Sequence, residues 1–311
     1  MNNELLSIIV PAYNEQEIIF EFYEELHRII KDLHYELIFV NDGSSDNTLS
    51  ILQKLSENDT SIVIINLSRN FGHQNALMAG FEYCHGENIL CMDSDLQHPP
   101  SVIPHLIAQR TRGFDVVNTC RIEAEGTGFV KKITANYFYK IFNKLSGLKI
   151  DQNSADFRLI SRRALNEMMR MNEKTIFIRG MVQWIGFNQT CVEYKAAKRI
   201  AGKTKYSFKR MVRFAADGIF SFSSKPLKAS IYTGVVMSLL SFLYTLYAII
   251  IFLFKRDVVS GWASLLVMIT LLGGLNLIFL GLIGQYIARI YDETKDRPRY
   301  IIKDIKGRRN E

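Results

Sequence analysis

Residues Met92 to Pro100 read MDSDLQHPP, two carboxylates two positions apart directly after the apolar run NILC. A charge at the end of a buried strand is costly unless a metal ion, a basic side chain or solvent answers it. On an extended segment alternate side chains point the same way, so Asp93 and Asp95 share a face and Gln97 continues it with a neutral oxygen. A hard divalent cation such as Mg²⁺ takes one or two carboxylates, phosphate oxygens and water. Glu15 and Asp42 also follow apolar runs. Several acids at strand ends, with Lys and Arg nearby, suit a phosphate-rich, metal-bound ligand. A D-x-D match alone arises often by chance; its place after a buried run gives it weight.

These acids need a scaffold that gathers strand ends. LLSIIV (5–10) is a short apolar run stopped by Pro11, and ELIFVN (36–41), IVIIN (62–66), NILCM (88–92) and DVVNT (115–119) repeat the pattern. Between them, EQEIIFEFYEELHRIIKDL puts Ile18, Ile19, Phe22, Leu26, Ile29, Ile30 and Leu33 on one helical face. SILQKL opens a second helix and QNALMAGFEYC a third. Strands alternating with helices predict an α/β fold with a mostly parallel sheet covered on both faces. Ligands bind such sheets beyond the carboxyl ends of the strands, where Asn14, Glu15, Asp42, Asp93 and Asp95 fall.

The 311 residues are 48% apolar, unevenly spread. Ala229 to Phe254 hold no charged side chain, and after KRD at 255–257 neither do Val258 to Ala288. Each run exceeds the roughly 20 residues that cross a bilayer core. Two transmembrane helices, about 229–254 and 261–287, are therefore expected as a hairpin with a short turn near Lys255–Ser260. The start of the chain has no basic n-region or cleavage site, so residues 1–200 read as a cytoplasmic domain and 201–228 as an amphipathic juxtamembrane segment. Basic residues ahead of the first span (Lys225, Lys228) and along the 289–311 tail outnumber those in the turn, which places both termini in the cytoplasm. Lys195 to Arg213 carries eight basic residues and no acidic one, as suits a segment lying on membrane lipids. The net charge of +7 points to anionic lipid and not to nucleic acid. Polar Asn276 and Gln285 within the second span predict helix–helix bonds and a homo-oligomer. Among Cys84, Cys91, Cys120 and Cys191 no pair has metal-ligand or redox spacing, so reduced thiols are expected.

Six ordered motifs complete the pattern: VPAYNE (10–15), VNDGSSDNT (40–48), LSRNFGHQNALMAG (67–80), MDSDLQHPP (92–100), SADFRLISR (154–162) and RIAGKTKYSF (199–208). With the two spans and the tail GQYIARIYDETKDRPRYII (284–302) they cover nearly the whole chain, which resembles a glycosyltransferase of family 2. The likeness is to the branch that glycosylates polyprenyl phosphates, with dolichyl-phosphate mannose synthases and GtrB-type bactoprenol glucosyltransferases as relatives. It implies a GT-A, Rossmann-like nucleotide-sugar domain and an inverting transfer that depends on Mg²⁺ or Mn²⁺. Carried onto matching positions, Pro11, Tyr13, Glu15 and Asp42 line the nucleoside pocket. Asp93, Asp95 and Gln97 bind ribose, metal and diphosphate, and Arg121, Arg199 and Lys205 face phosphates. Asp156 in ADFRL is the position assigned as catalytic base, with Asp95 and Arg121 beside it at the reacting atoms. Three positions depart from the family: Asn41 for a frequent Asp, a change at the base or ribose contacts; His98 for a frequent Asp, outside the expected metal shell; and Thr204 for Ser.

The resemblance further implies a bacterial inner-membrane enzyme that moves one glucose from UDP-glucose to undecaprenyl phosphate, for modification of a cell-surface polysaccharide such as the O-antigen. UDP-N-acetylglucosamine, UDP-galactose, a modified arabinose and GDP-mannose are the alternative donors. The second pKa of a phosphate monoester is about 6, so this acceptor is already an anionic nucleophile at neutral pH. Asp156 then either abstracts a proton or orients Arg158 or an acceptor-side cation. Trp184 borders the sugar site or is a core aromatic. A processive polysaccharide synthase expects Q-x-x-R-W and more spans, and MVQW lacks the arginine. A non-catalytic scaffold or lipid-translocation subunit is disfavoured by the intact Asp42, Asp93, Asp95 and Asp156.

Overall fold

The computed structural model describes residues 4–122, 140, 142–148, 154–195, 218–255 and 261–307. Strands β1 (Leu6–Ala12), β2 (Tyr35–Asn41), β3 (Ile62–Leu67), β4 (Asn88–Cys91), β5 (Val116–Ile122), β6 (Ser154–Ser161), β7 (Gln189–Lys195) and β8 (Ile302–Lys306) form one sheet in the order β7-β5-β6-β4-β1-β2-β3-β8. β4, β1, β2 and β3 run parallel, as do β5 and β7. β6 is antiparallel to both its neighbours, and β8 is antiparallel to β3.

The continuous apolar runs of the inner strands follow from cover on both faces. Ile8, Val10, Leu37 and Phe39 face a core closed by α1 (Ile19–Ile30), α2 (Thr48–Asn58) and α4 (Ile103–Thr111). The alternate residues Ile9, Ile38 and Val40 face a second core under α3 (His73–Tyr83), α5 (Arg162–Met169) and α6 (Ile178–Trp184). Gly80 lets α3 lie close on β1, since a Cβ there would stand 2.3 Å from Ile9 Cγ2. The face of α1 ends one turn earlier than its periodicity suggests. The chain turns after Ile30 to enter β2, and Leu33 is left 38% exposed.

Three strands were not revealed by the apolar pattern. β6 and β7 flank β5, and β8 adds the last strand from the segment expected only as a tail. Asn41 Nδ2 donates to Asn66 Oδ1 (2.8 Å) and Asn66 Nδ2 to Asp304 Oδ2 (2.9 Å), a side-chain ladder across β2, β3 and β8. Cys120 on β5 and Cys191 on β7 are joined in a disulfide, against the expectation of four reduced thiols. They lie 71 residues apart, so only strand pairing brings them together. Cys84 and Cys91 are free and buried, as expected.

Two long helices follow, α7 (Lys225–Lys255) and α8 (Trp262–Thr294). Their segments Lys225–Ile251 and Val267–Thr294 are long and apolar enough to cross a membrane, and their large apolar side chains point outward. Most of the expected turn, residues 256–260, lies outside the described residues.

Candidate active site

The carboxyl ends of β1 and β2 carry two interlocked loops. Asn14, held at φ 55°, donates its N–H to Ser44 Oγ (3.0 Å), and its Oδ1 accepts from Ser45 N (2.9 Å). The Glu15 N–H reaches Thr48 Oγ1 (2.9 Å). Pro11 is buried in β1, whereas Tyr13 is 39% exposed at the loop. Asp42 is 3% exposed, and its two oxygens accept the backbone N–H groups of Phe71 (2.7 Å) and Gly72 (2.9 Å). Its carboxylate thus shapes the turn leading into α3. Gly43 (φ +66°) passes so close to Arg69 that a Cβ would meet its backbone carbon at 2.4 Å. Asn41, buried in its ladder, also accepts from Ser44 N (3.3 Å), so this departure from the family serves the sheet and the loop.

That turn delivers His73, the first residue of α3, to Asp93: His73 Nε2 lies 2.7 Å from Asp93 Oδ1. The other oxygen, Oδ2, is 3.3 Å from His98 Nε2, and His98 Nδ1 is 2.7 Å from the Tyr194 hydroxyl. An ionised carboxylate only accepts, so His98 Nε2 donates to Asp93 in this arrangement; to offer Nε2 to a metal ion, His98 would carry its proton on Nδ1 and donate it to the Tyr194 hydroxyl. Loss of water at the site raises the Asp93 carboxyl, but His73 and His98 outweigh it and hold it well below the usual range. Desolvation lowers His73, yet Asp93 and then Asp156 bring it up to about 9. Burial pushes Tyr194 up to about 12; Arg121 pulls it back, while Asp93 and Asp95 add to the rise. Arg121 is exposed on β5, opposite Tyr194 in register.

Strict alternation does not continue past Asp95. Leu96 takes φ 54° and Gln97 N donates to Asp95 Oδ1 (3.1 Å), so the segment turns and Gln97 is not placed by strand geometry. The turn brings His98 in. Asp93, Asp95 and His98 each offer a ligand atom within 4.8 Å of the others, although the sequence put His98 outside the metal shell. The two carboxylates fit Mg²⁺ or Mn²⁺, and the imidazole nitrogen is a donor that hard Mg²⁺ takes less readily than Mn²⁺.

Asp156 lies on β6 beyond the pairing of Cys91 with Arg158, a register that brings it level with Asp93 when extended. Its carboxylate takes a two-point fork from Arg179, Nε to Oδ1 at 2.9 Å and Nη2 to Oδ2 at 3.1 Å. Arg158, 1% exposed, adds Nη2 to Oδ1 at 3.0 Å. Burial raises this carboxyl, but Arg179 and Arg158 bring it down to about 2. His73 and Arg179 were not singled out from the sequence. His73 lay inside a recognised motif, while Arg179 had only its place at the head of a short apolar helix. Trp184 is 66% exposed and therefore not a core aromatic. Arg199, Thr204 and Lys205 lie outside the described residues.

The chain as a whole is similar to known proteins. Residues 7–169 match the family Glycosyl transferase family 2. The chain is 44% identical over 306 residues to an uncharacterised glycosyltransferase of Bacillus subtilis, YkcC, covering 98% of this chain and 95% of that one. It is 41% identical over 303 residues to the bactoprenol glucosyl transferase of Shigella phage SfV, covering 97% and 99%. Among solved structures, glucosyl-3-phosphoglycerate synthase of Mycobacterium tuberculosis, in complex with Mn²⁺, UDP-glucose and phosphoglyceric acid, superposes with a TM-score of 0.50 at 16% identity, covering 71% of this chain and 79% of that one. That likeness shows a GT-A-like fold. Matched over more than half its length by the family and over nearly all of it by the relatives, the chain belongs to glycosyl transferase family 2.

Proposed function

We propose that this glycosyltransferase moves a single glucose from UDP-glucose to bactoprenol (undecaprenyl) phosphate, with inversion, at a membrane surface. The observation that carries the reading is the 41% identity to bactoprenol glucosyl transferases over nearly the full length, apolar helices included. Asp93 and Asp95, joined by His98, are the residues to hold Mg²⁺ or Mn²⁺, with Gln97 on the adjoining turn. When bound, the ion supplies positive charge to the departing diphosphate. The loops of Pro11–Glu15 and Asp42–Thr48 take the nucleoside, and Arg121, Arg199 and Lys205 face phosphates.

Asp156 works as an anchor for Arg179 and not as a proton acceptor. The phosphate monoester needs little help to ionise, since its second pKa is about 6. A carboxylate brought down to about 2 by two guanidinium groups is a poor base at neutral pH. What it does well is hold the Arg179 fork rigid beside Asp93, where fixed positive charge favours reaction between anionic partners.

The two apolar helices would anchor the chain in the bacterial inner membrane with both termini in the cytoplasm. Asn276 and Gln285, exposed on α8, would bond between copies in a homo-oligomer. The test is transfer by the purified protein to undecaprenyl phosphate from a panel of UDP- and GDP-sugars, read by mass spectrometry. A glucosyl phospholipid formed from UDP-glucose alone is expected. Selective use of another sugar, or no transfer with an intact fold, would overturn the reading.

A further inference from the structure

The charge-free stretch of α8 ends at Ala288, and Arg289 and Glu293 lie on the turns that follow. There a cavity of about 520 Å³ opens between α8, the helical residues 218–222 and the segment 173–175. Part of its wall is aromatic: Phe220 and Tyr286 meet edge to face at 5.3 Å. Tyrosine rings such as that of Tyr286 concentrate where hydrocarbon gives way to headgroups. Part is cationic: Arg289 lies 5.8 Å over the Phe220 ring and donates Nη1 to Ser221 Oγ at 2.7 Å. Part is acidic: Glu173 and Glu293 both line the space.

Glu173 is the unusual member. Its Oε2 is buried and has no hydrogen-bond partner among the described residues. Burial raises its carboxyl, and the neighbouring Glu293 raises it further, against Arg299 and Arg289. Glu293 Oε1 already accepts the Lys174 N–H (2.8 Å), which ties the acidic wall to the catalytic domain. A buried carboxylate oxygen without a donor is destabilising, and the cavity beside it is where a donor can enter.

We propose that this cavity binds the headgroup of a membrane phospholipid carrying a primary ammonium next to a phosphodiester, the ethanolamine class. The ammonium meets Glu173 and Glu293, and the phosphodiester meets Arg289 and the Ser221 hydroxyl. An anionic glycerol headgroup offers hydroxyl donors but no cation to answer the paired acids Glu173 and Glu293, and a choline headgroup has its nitrogen fully methylated. Inorganic phosphate would leave the aromatic wall unused. A polyprenyl phosphate carries no ammonium, so this site is separate from the acceptor's and stands whatever sugar the enzyme transfers.

The full chain, reconstituted with equimolar phosphatidylethanolamine, its N-methyl and N,N-dimethyl derivatives, phosphatidylcholine and phosphatidylglycerol of identical acyl chains, would be read by native mass spectrometry for retained lipid. Retention should fall stepwise with methylation, about tenfold from first to last, as N–H donors to a carboxylate are lost. Glu173→Gln should flatten the series, and Arg289→Gln should lower retention of every member. A flat series in the wild type, phosphatidylglycerol held as well as phosphatidylethanolamine, or a gradient that persists in Glu173→Gln would overturn the proposal. So would displacement of the bound lipid by added undecaprenyl phosphate. The wild-type series decides by itself if a variant fails to fold.

Discussion

At the end of β2, Asp42 is held by main-chain N–H groups, while at the ends of β4 and β6 Asp93 and Asp156 are held by two imidazoles and two guanidinium groups. An acid satisfied by backbone amides fixes a loop, and its charge is largely consumed in doing so. An acid satisfied by cationic side chains fixes where those side chains lie. Under the proposed function, the first arrangement would build the nucleoside side of the cleft and the second the reacting side.

The largest expected effect lies at the join of the two. Asp95→Ala removes a carboxylate from the group with Asp93 and His98, and transfer should fall by at least about a thousandfold, several kcal/mol in the transition state. Full activity of the wild type in excess EDTA would break the metal assignment. Next comes the Asp156–Arg179 fork. Asp156→Asn and Arg179→Gln should each lower kcat about a hundredfold, and the double variant should lose no more than either. Additive losses would mean that the two residues act separately and that Asp156 has a task of its own.

Acid should expose the same pair. The Asp156 carboxyl is depressed, so its contribution is present above the unfolded value near 4 and is lost as pH falls through about 2. Denaturant melts should show wild type and Asp156→Asn converging by about 2 kcal/mol between pH 5 and pH 2. A constant gap would contradict the ion-pair account. On the main-chain side, Asp42→Asn turns one acceptor into a donor facing an N–H group, and should cost about 1–3 kcal/mol of stability. A melt unchanged by that substitution would remove the contrast between the two kinds of acid. The smallest effect is expected at Tyr194→Phe, where His98 loses the hydroxyl that orients its ring two steps from the candidate metal. Titration of Mn²⁺ binding should show about tenfold weaker affinity, in the range such outer contacts contribute.

The same division explains what could be read in advance. β1, β2, β3 and β4 are covered on both faces, so they appear as unbroken apolar runs. β6 carries Asp156 and Arg158 within SADFRLIS, and β7 and β8 are half-polar edge strands, as edges tend to be. β7 carries an alternation, Val192 and Tyr194 inward against Glu193 and Lys195, but it is too short to stand out. The acids were legible because they follow the apolar runs or sit in recognisable motifs. Their partners were not: Arg179 is 23 residues from Asp156 and His73 is 20 from Asp93, and only the folded sheet makes them neighbours. Cys120 and Cys191 were misread for the same reason.

Chain order gives β8 a consequence for biosynthesis. A ribosome releases residues 302–306 only after both apolar helices have been made, so the outer edge of β3 has no partner during all of that interval. An unpaired edge is a template for the wrong strand. The domain is therefore finished last, by the segment that returns from the apolar helices, and a nascent chain stalled before that point presents an open edge to its neighbours. Completion of the sheet thus reports that synthesis has passed the hairpin.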